Sequence, residues 1–181
     1  MSAINAGALA VAAKEVPKDV PQTQGYGNCF GCSPRNLTGL KMTFEIAPGR
    51  VTSKVALGSE FESFPGMIHG GIITTLLDET MAQAALRAGR CPATTTGLRI
   101  RYAQVMETNR TYAVIAEAEK PNGDLVRVQG RLETLEGALV AVCDGTFLLW
   151  SQERANAGKL TLPPQAIQSL NQFFRDLEIT P

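Results

Sequence analysis

An excess of charge of either sign is missing from this chain. Seventeen lysines and arginines balance seventeen aspartates and glutamates over 181 residues. No global field therefore favours nucleic acid, and no basic block supplies a stripe that could follow phosphates. Long apolar runs are missing too: none approaches the roughly 20 residues needed to span a bilayer. The stretch Ala8 to Ala13 is too short and too weakly hydrophobic for a secretory core, and no lysine or arginine precedes it. The expectation is a cytoplasmic enzyme or binding protein with neither nucleic acid nor membrane as partner. Its apolar fraction, 44%, is ordinary for a globular chain, and the length suits one domain with appendages.

Histidine is nearly absent, and cysteine is sparse. His69 is the single histidine, and the cysteines are Cys29, Cys32, Cys91 and Cys143. Cys29 and Cys32 have the C-x-x-C spacing that marks zinc sites and redox pairs. A structural zinc site takes about four ligands, however, and Cys91 and Cys143 stand alone. No βαβ pattern of the thioredoxin kind adjoins the pair. The expectation is reduced, half-buried thiols in a turn, with no metal and no cofactor.

What is present is concentrated in Pro65-Gly-Met-Ile-His69-Gly70-Gly71-Ile72-Ile-Thr74-Thr75-Leu76-Leu77-Asp78. Two glycines allow a tight turn and a close approach of backbone N–H groups to a ligand. The apolar run behind them suits a buried helix, whose start presents unpaired N–H donors and a positive dipole end. That end suits an oxyanion or a polarised carbonyl. Asp78 then sits in an otherwise apolar helix, and a buried carboxylate is costly unless paired or put to use. Each residue also has a structural reading. His69 could be a cap, Gly70-Gly71 a plain loop-to-helix junction, and Asp78 an ion-pair partner of Arg87, Arg90 or Arg99. Singly those readings win; together, at this spacing, the residues favour a site.

The combination resembles a known family. His-Gly-Gly, an apolar helix, then Asp nine positions after the His is similar to the hotdog-fold acyl-CoA thioesterases. The nearest branch holds the phenylacetate-pathway thioesterases and the mammalian thioesterase-superfamily members 4 and 5. Cys29-Phe30-Gly31-Cys32-Ser33-Pro34-Arg35-Asn36-Leu37-Thr38-Gly39-Leu40 agrees, resembling the Cys-Phe-Gly-Cys-Gly…Asn-Pro-x-Gly-Leu entry of that branch. Ser33 and Leu37 stand where Gly and Pro are usual. The match runs from about Asn28 to Trp150.

The patterning is α+β. Residues 1–24 read as a flexible arm and 25–153 as the main domain. Residues 154–181 read as a helical extension, with Ile167, Leu170, Phe174 and Leu177 at helical spacing behind Pro163-Pro164. Leu40, Met42, Phe44 and Ile46 alternate like a half-buried strand, Pro48-Gly49 turns, and Val51, Ser53, Val55 and Leu57 resume the period. A helix follows from Gly70 to Ala88, with Arg87 and Gly89 as stop signals. Leu98, Ile100 and Tyr102 share one strand face, opposite Arg99 and Arg101. Tyr112 to Glu119 is the next strand, and Asn122-Gly123 makes a hairpin turn. Val126, Val128, Gly130 and Leu132 continue the sheet, Glu136-Gly137 turns again, and Ala138 to Trp150 closes it. Two strands, a long helix and a meander allow an antiparallel sheet to wrap one helix. The resemblance makes that the hotdog fold.

Nine residues along a helix rise by roughly 13 Å and rotate half a turn out of phase. One chain's glycines and its own Asp78 therefore cannot meet around one thioester carbon. A twofold pair can bring them together, which is the arrangement the resemblance implies: a homodimer, or a tetramer built from dimers. The family roles, carried to this chain, make the substrate an acyl-CoA or acyl-carrier-protein thioester. The Gly70 N–H receives the oxyanion with Gly71 and His69 in support. Asp78 acts as general base or nucleophile, and Thr95, in the run Thr94-Thr95-Thr96, helps hold the attacking water. Phe61, Phe64, Met67 and Met81 are candidate walls for the acyl group. Arg99, Arg101 and Arg110 are cations that could meet coenzyme A phosphates. Two other functions stay open. One is a hydratase, dehydratase or isomerase on the same fold, which would place its acid in another register. The other is a non-catalytic binder of acyl or aromatic ligands.

Overall fold

A computed structural model describes residues 27–150 and Arg154; the expected arm (1–24) and the expected helix beyond Pro163-Pro164 lie outside those residues. The long helix α1 (Gly70–Gly89) follows β1 (Glu45–Ala47), β2 (Arg50–Ala56), β3 (Glu62–Phe64) and β4 (Met67–Ile68). It precedes β5 (Ala93–Tyr102), β6 (Thr111–Ala118), β7 (Leu125–Thr134) and β8 (Leu139–Leu149). Six strands form one antiparallel sheet in the order β1-β2-β6-β7-β8-β5, and β3 and β4 make a separate hairpin. The sheet wraps α1, giving the hotdog architecture.

The helix earns its place by its pattern. Ile73, Leu76, Leu77, Thr80, Met81, Ala84 and Ala85 are buried, a stripe at the i, i+3, i+4, i+7 spacing that faces one side. Thr80 hides its hydroxyl within the stripe by donating to the Leu76 carbonyl at 2.8 Å. Leu76 and Leu77 are fully buried, and burying such a side chain stabilises by about 1.5–3 kcal/mol. Opposite the stripe, β7 and β8 turn Val126, Val128, Leu132, Val140 and Phe147 inward. Two glycines let the helix come close. A Cβ on Gly130 would lie 2.6 Å from Met81 Sδ, and one on Gly145 would lie 2.6 Å from Met81 Cε. Met81 therefore drops into a gap in the sheet face. It is a core residue, fully buried, rather than a wall of an open tunnel.

Three expectations need correction. The alternating run from Leu40 is not a strand until Glu45, and the three residues of β1 are all exposed. The loop ahead of it bonds instead to the Cys29 turn, through Leu40 N–H to Phe30 O (2.8 Å) and Met42 N–H to Gly31 O (2.9 Å). Alternation recorded half-burial correctly, for Met42 is buried, but the partner is a turn and not a sheet. The hairpin between β6 and β7 turns at Gly123-Asp124, one residue later than expected. Asn122 and Leu125 close it, and Gly123 takes φ +59. The helix includes Gly89, and Arg90 rather than glycine adopts the left-handed cap, φ 54. Among the described residues no helix is long and apolar enough to cross a membrane.

Candidate active site

Asp78 and Glu79 leave α1 on opposite flanks of its buried stripe, because successive helical residues are rotated by about 100°. Asp78 turns to β5, where Thr95 Oγ1 donates to Asp78 Oδ1 at 2.6 Å. None of Arg87, Arg90 and Arg99 takes the carboxylate in an ion pair: Arg87 instead donates to Gln83, at 2.7 Å to its side chain. The ion-pair alternative for Asp78 therefore has no partner among the described residues. A local irregularity makes the threonine contact. β5 and β8 pair in register up to Thr95↔Phe147 and resume at Gly97↔Thr146, leaving Thr96 as an extra residue. Such a bulge shifts the strand's phase. Thr95 and, beyond the bulge, Leu98 and Ile100 all turn toward the helix, whereas Thr94 and Thr96 are exposed. Thr96 fastens the bulge by donating to the Thr146 carbonyl at 2.9 Å. Of the three threonines, Thr95 is the one that meets Asp78.

At the other end of the helix His69 is the N-cap. Its Nδ1 accepts from the Gly71 N–H at 2.9 Å, so in the neutral ring Nε2 carries the proton. The Gly71 N–H is thereby used, whereas the Gly70 N–H has no acceptor among the described residues. Neither glycine takes a positive φ. What matters at Gly71 is space, for a Cβ there would lie 3.0 Å from His69 Nδ1. Tyr102, not singled out in the sequence as a site residue, closes this end. Its hydroxyl donates to the Gly70 carbonyl at 3.1 Å and shares a 2.9 Å hydrogen bond with Thr74 Oγ1. Two of the expected wall residues also border this end, Met67 being half-buried on β4 and Phe64, 69% exposed, pairing with it on β3.

Glu79 faces the Cys29 turn on the far flank. Burial lifts its carboxyl to about 7. Cys29 Sγ stands 3.5 Å from Glu79 Oε2, and a hydrogen bond from the Cys32 thiol holds Cys29 down at about 5. Cys32 itself is pushed up, first by donating to Cys29 and then by burial. All four cysteines are free; Cys29 is half-buried, and the other three are buried. Sequence reasoning passed over Glu79, whose only signal was its place beside Asp78.

The cations considered for phosphate binding have partners on the surface or none that matter here. Arg101 pairs with Asp144 at 3.7 Å, and Arg110 pairs with Glu136 at 3.1 Å while lying over the Tyr112 ring. An open concavity of about 530 Å³ is lined by Arg99, Arg127, Gln129, Asp144 and Thr146. It lies on the outer face of the sheet, with the strands between it and Asp78.

A family model described as the thioesterase superfamily matches residues 65–141, which contain His69, Gly70, Gly71, Asp78 and Thr95. No curated protein matches the chain. Among solved structures, a thioesterase superfamily protein superposes with a TM-score of 0.59 at 23% identity, over 64% of this chain and 60% of that one. Zebra fish thioesterase superfamily member 2 gives 0.57 at 24% identity, over 64% and 85%. A hypothetical thioesterase from Streptococcus pneumoniae, solved with coenzyme A, gives 0.57 at 17% identity, over 61% and 87%. Identities this low carry the fold alone. The family match across α1 and the strands after it is to the thioesterase superfamily, and the fold is the one those thioesterase-superfamily structures share.

Proposed function

We propose that the protein hydrolyses an acyl thioester of coenzyme A or of a carrier protein, at sites shared between two copies of the chain. The observation that carries this reading is the 2.6 Å bond from Thr95 to Asp78, which fixes a half-buried carboxylate that no cation among the described residues claims. With Oδ1 held by the threonine, Oδ2 remains to accept from water, and the Thr95 oxygen can accept from the same molecule. This favours Asp78 as general base over direct attack. The base takes a proton as water adds to the thioester carbon. The resulting oxyanion lies against the Gly70 N–H of the other copy, with the Nε2–H of His69 beside it. Gly71 contributes by leaving room for the His69 ring. Collapse breaks the C–S bond, and the proton held by Asp78 goes to the departing thiolate.

Two features support pairing. Gly70 and Asp78 are eight residues apart on one helix, about 12 Å of rise, too far to share one carbonyl. β5 is a ten-residue strand at the sheet edge, and a long free edge is a template for pairing with another chain. Tyr102 and Val105, each 52% exposed, continue from that edge beside the helix start. The S. pneumoniae relative was solved with coenzyme A, which supports the same carrier here.

The test is a panel of acyl-CoA substrates followed by thiol release. Release of free coenzyme A with the free acid supports hydrolysis. A product that has gained or lost water would instead make the chain a hydratase or dehydratase, and ligand-induced stabilisation without turnover would make it a binder.

A further inference from the structure

The Cys29–Cys32 turn and Glu79 form a second chemical cluster that thioester hydrolysis does not use. One sulfur from each cysteine and one carboxylate oxygen all lie within 4.8 Å of one another. A tetrahedral zinc ion holds thiolates at about 2.3 Å and a carboxylate oxygen at about 2.1 Å. That geometry separates sulfur from oxygen by about 3.6 Å and sulfur from sulfur by about 3.8 Å. The 3.5 Å between Cys29 Sγ and Glu79 Oε2 already matches the first of these.

The turn is shaped for such an arrangement. Backbone N–H groups of Gly31 and Cys32 point at the Cys29 sulfur, as they would to steady a thiolate ligand. Gly31 lies so close to Glu79 that a Cβ would come within 2.5 Å of Oε2, so the glycine lets the carboxylate reach the sulfurs. Beyond the cluster the turn is held by Ser33 Oγ donating to the Gly27 carbonyl and Asn36 Nδ2 donating to the Asn28 carbonyl. Among the described residues, the other titratable groups acting on Glu79 are Cys29, Cys32 and Asp78.

We propose that Cys29, Cys32 and Glu79 bind a thiophilic divalent cation, zinc in the first place, with water at the fourth tetrahedral position. Two soft thiolates select zinc over magnesium or calcium. The ligands bind deprotonated, so loading releases protons, and the ion's two positive charges offset most of the three negative ones. The metal would fasten the loop from Gly27 to Met42 onto α1, beside Asp78. Spacing alone offers only the two cysteines, and the third donor lies fifty residues from Cys29.

The full-length chain, purified under reducing conditions without chelator, should carry about one zinc per chain by elemental analysis. Replacing zinc with cobalt should give a thiolate-to-cobalt charge-transfer band in the near ultraviolet and tetrahedral ligand-field bands in the visible. Cys29→Ser and Cys32→Ser should lower that band, and Glu79→Gln should weaken zinc binding by about ten-fold or more. Reduced, folded wild-type protein that takes up no zinc and shows no thiolate-to-cobalt band overturns the proposal. So do thiols that close to a disulfide on mild oxidation but never bind cobalt when reduced, an outcome that makes the pair a redox couple. The wild-type spectrum decides the matter even if the serine variants do not fold.

Discussion

Asp78 and Glu79 are neighbours in sequence, carry the same functional group, and live in different chemical worlds. Asp78 meets a hydroxyl donor across a strand bulge; Glu79 meets the two sulfurs of the Cys29 turn. Asp78 is held by the hydroxyl at one oxygen, whereas burial raises the Glu79 carboxyl to about 7. A rotation of about 100° on one helix separates the two settings. Partners, more than identity or position in the chain, decide what a carboxylate can do.

Variants on each flank can break or sharpen that contrast. The largest effect belongs to Asp78→Asn, which keeps shape but removes the base; turnover should fall at least ~100-fold with the melting temperature little changed. A variant that keeps more than about a tenth of wild-type turnover would take Asp78 out of the chemistry. Gly70→Pro should be comparably inactive, because proline is tolerated at the first helical position but lacks the N–H donor. Coexpressed with Asp78→Asn under two affinity tags, it tests the shared site. Half of randomly assorted dimers are mixed and half of their sites whole, so activity should return to about a quarter of wild type. Mixed dimers confirmed by mass and no more active than the parents would confine each site to one chain.

Thr95→Val should cost about ten-fold in kcat, the order expected for losing a hydrogen bond to a charged group. Thr94→Val, on the exposed face, should cost little, and equal losses at both positions would remove the special role of the bulge. An effect on turnover smaller than that of Thr95→Val is expected at Gly31→Ala. Its methyl would push Glu79 from the thiols and destabilise the fold by about 1–3 kcal/mol in urea unfolding, with kcat within a few-fold. A drop in turnover as deep as that of Thr95→Val would show that the two flanks are coupled.

The sequence made the helix and its buried stripe plain and set Asp78 within them, because a 3.6-residue period and an acid closing an apolar run are local signals. The wrapping of an antiparallel sheet around the helix followed from the order of elements and the family resemblance, whereas the strand order came only with the structure. The Leu40 strand failed because alternation records one-sided burial and does not say what lies opposite. The contact of Thr95 with Asp78 needed the bulge, whose only trace is Gly97 breaking a β-branched run. The clustering of Glu79 with Cys29 and Cys32 was not legible at all, since it depends on which loop folds over the helix flank.

Met81, lodged between Gly130 and Gly145, works as a mechanical detent. It lies three positions beyond Asp78, about 4.5 Å along the axis, close enough to index that carboxylate against the sheet. Sliding α1 by a single residue would move it about 1.5 Å, lift the sulfur out of its notch, and spoil the short bond from Thr95 to Asp78. Filling the notch from the sheet side would therefore mistune the site without touching any group that meets substrate.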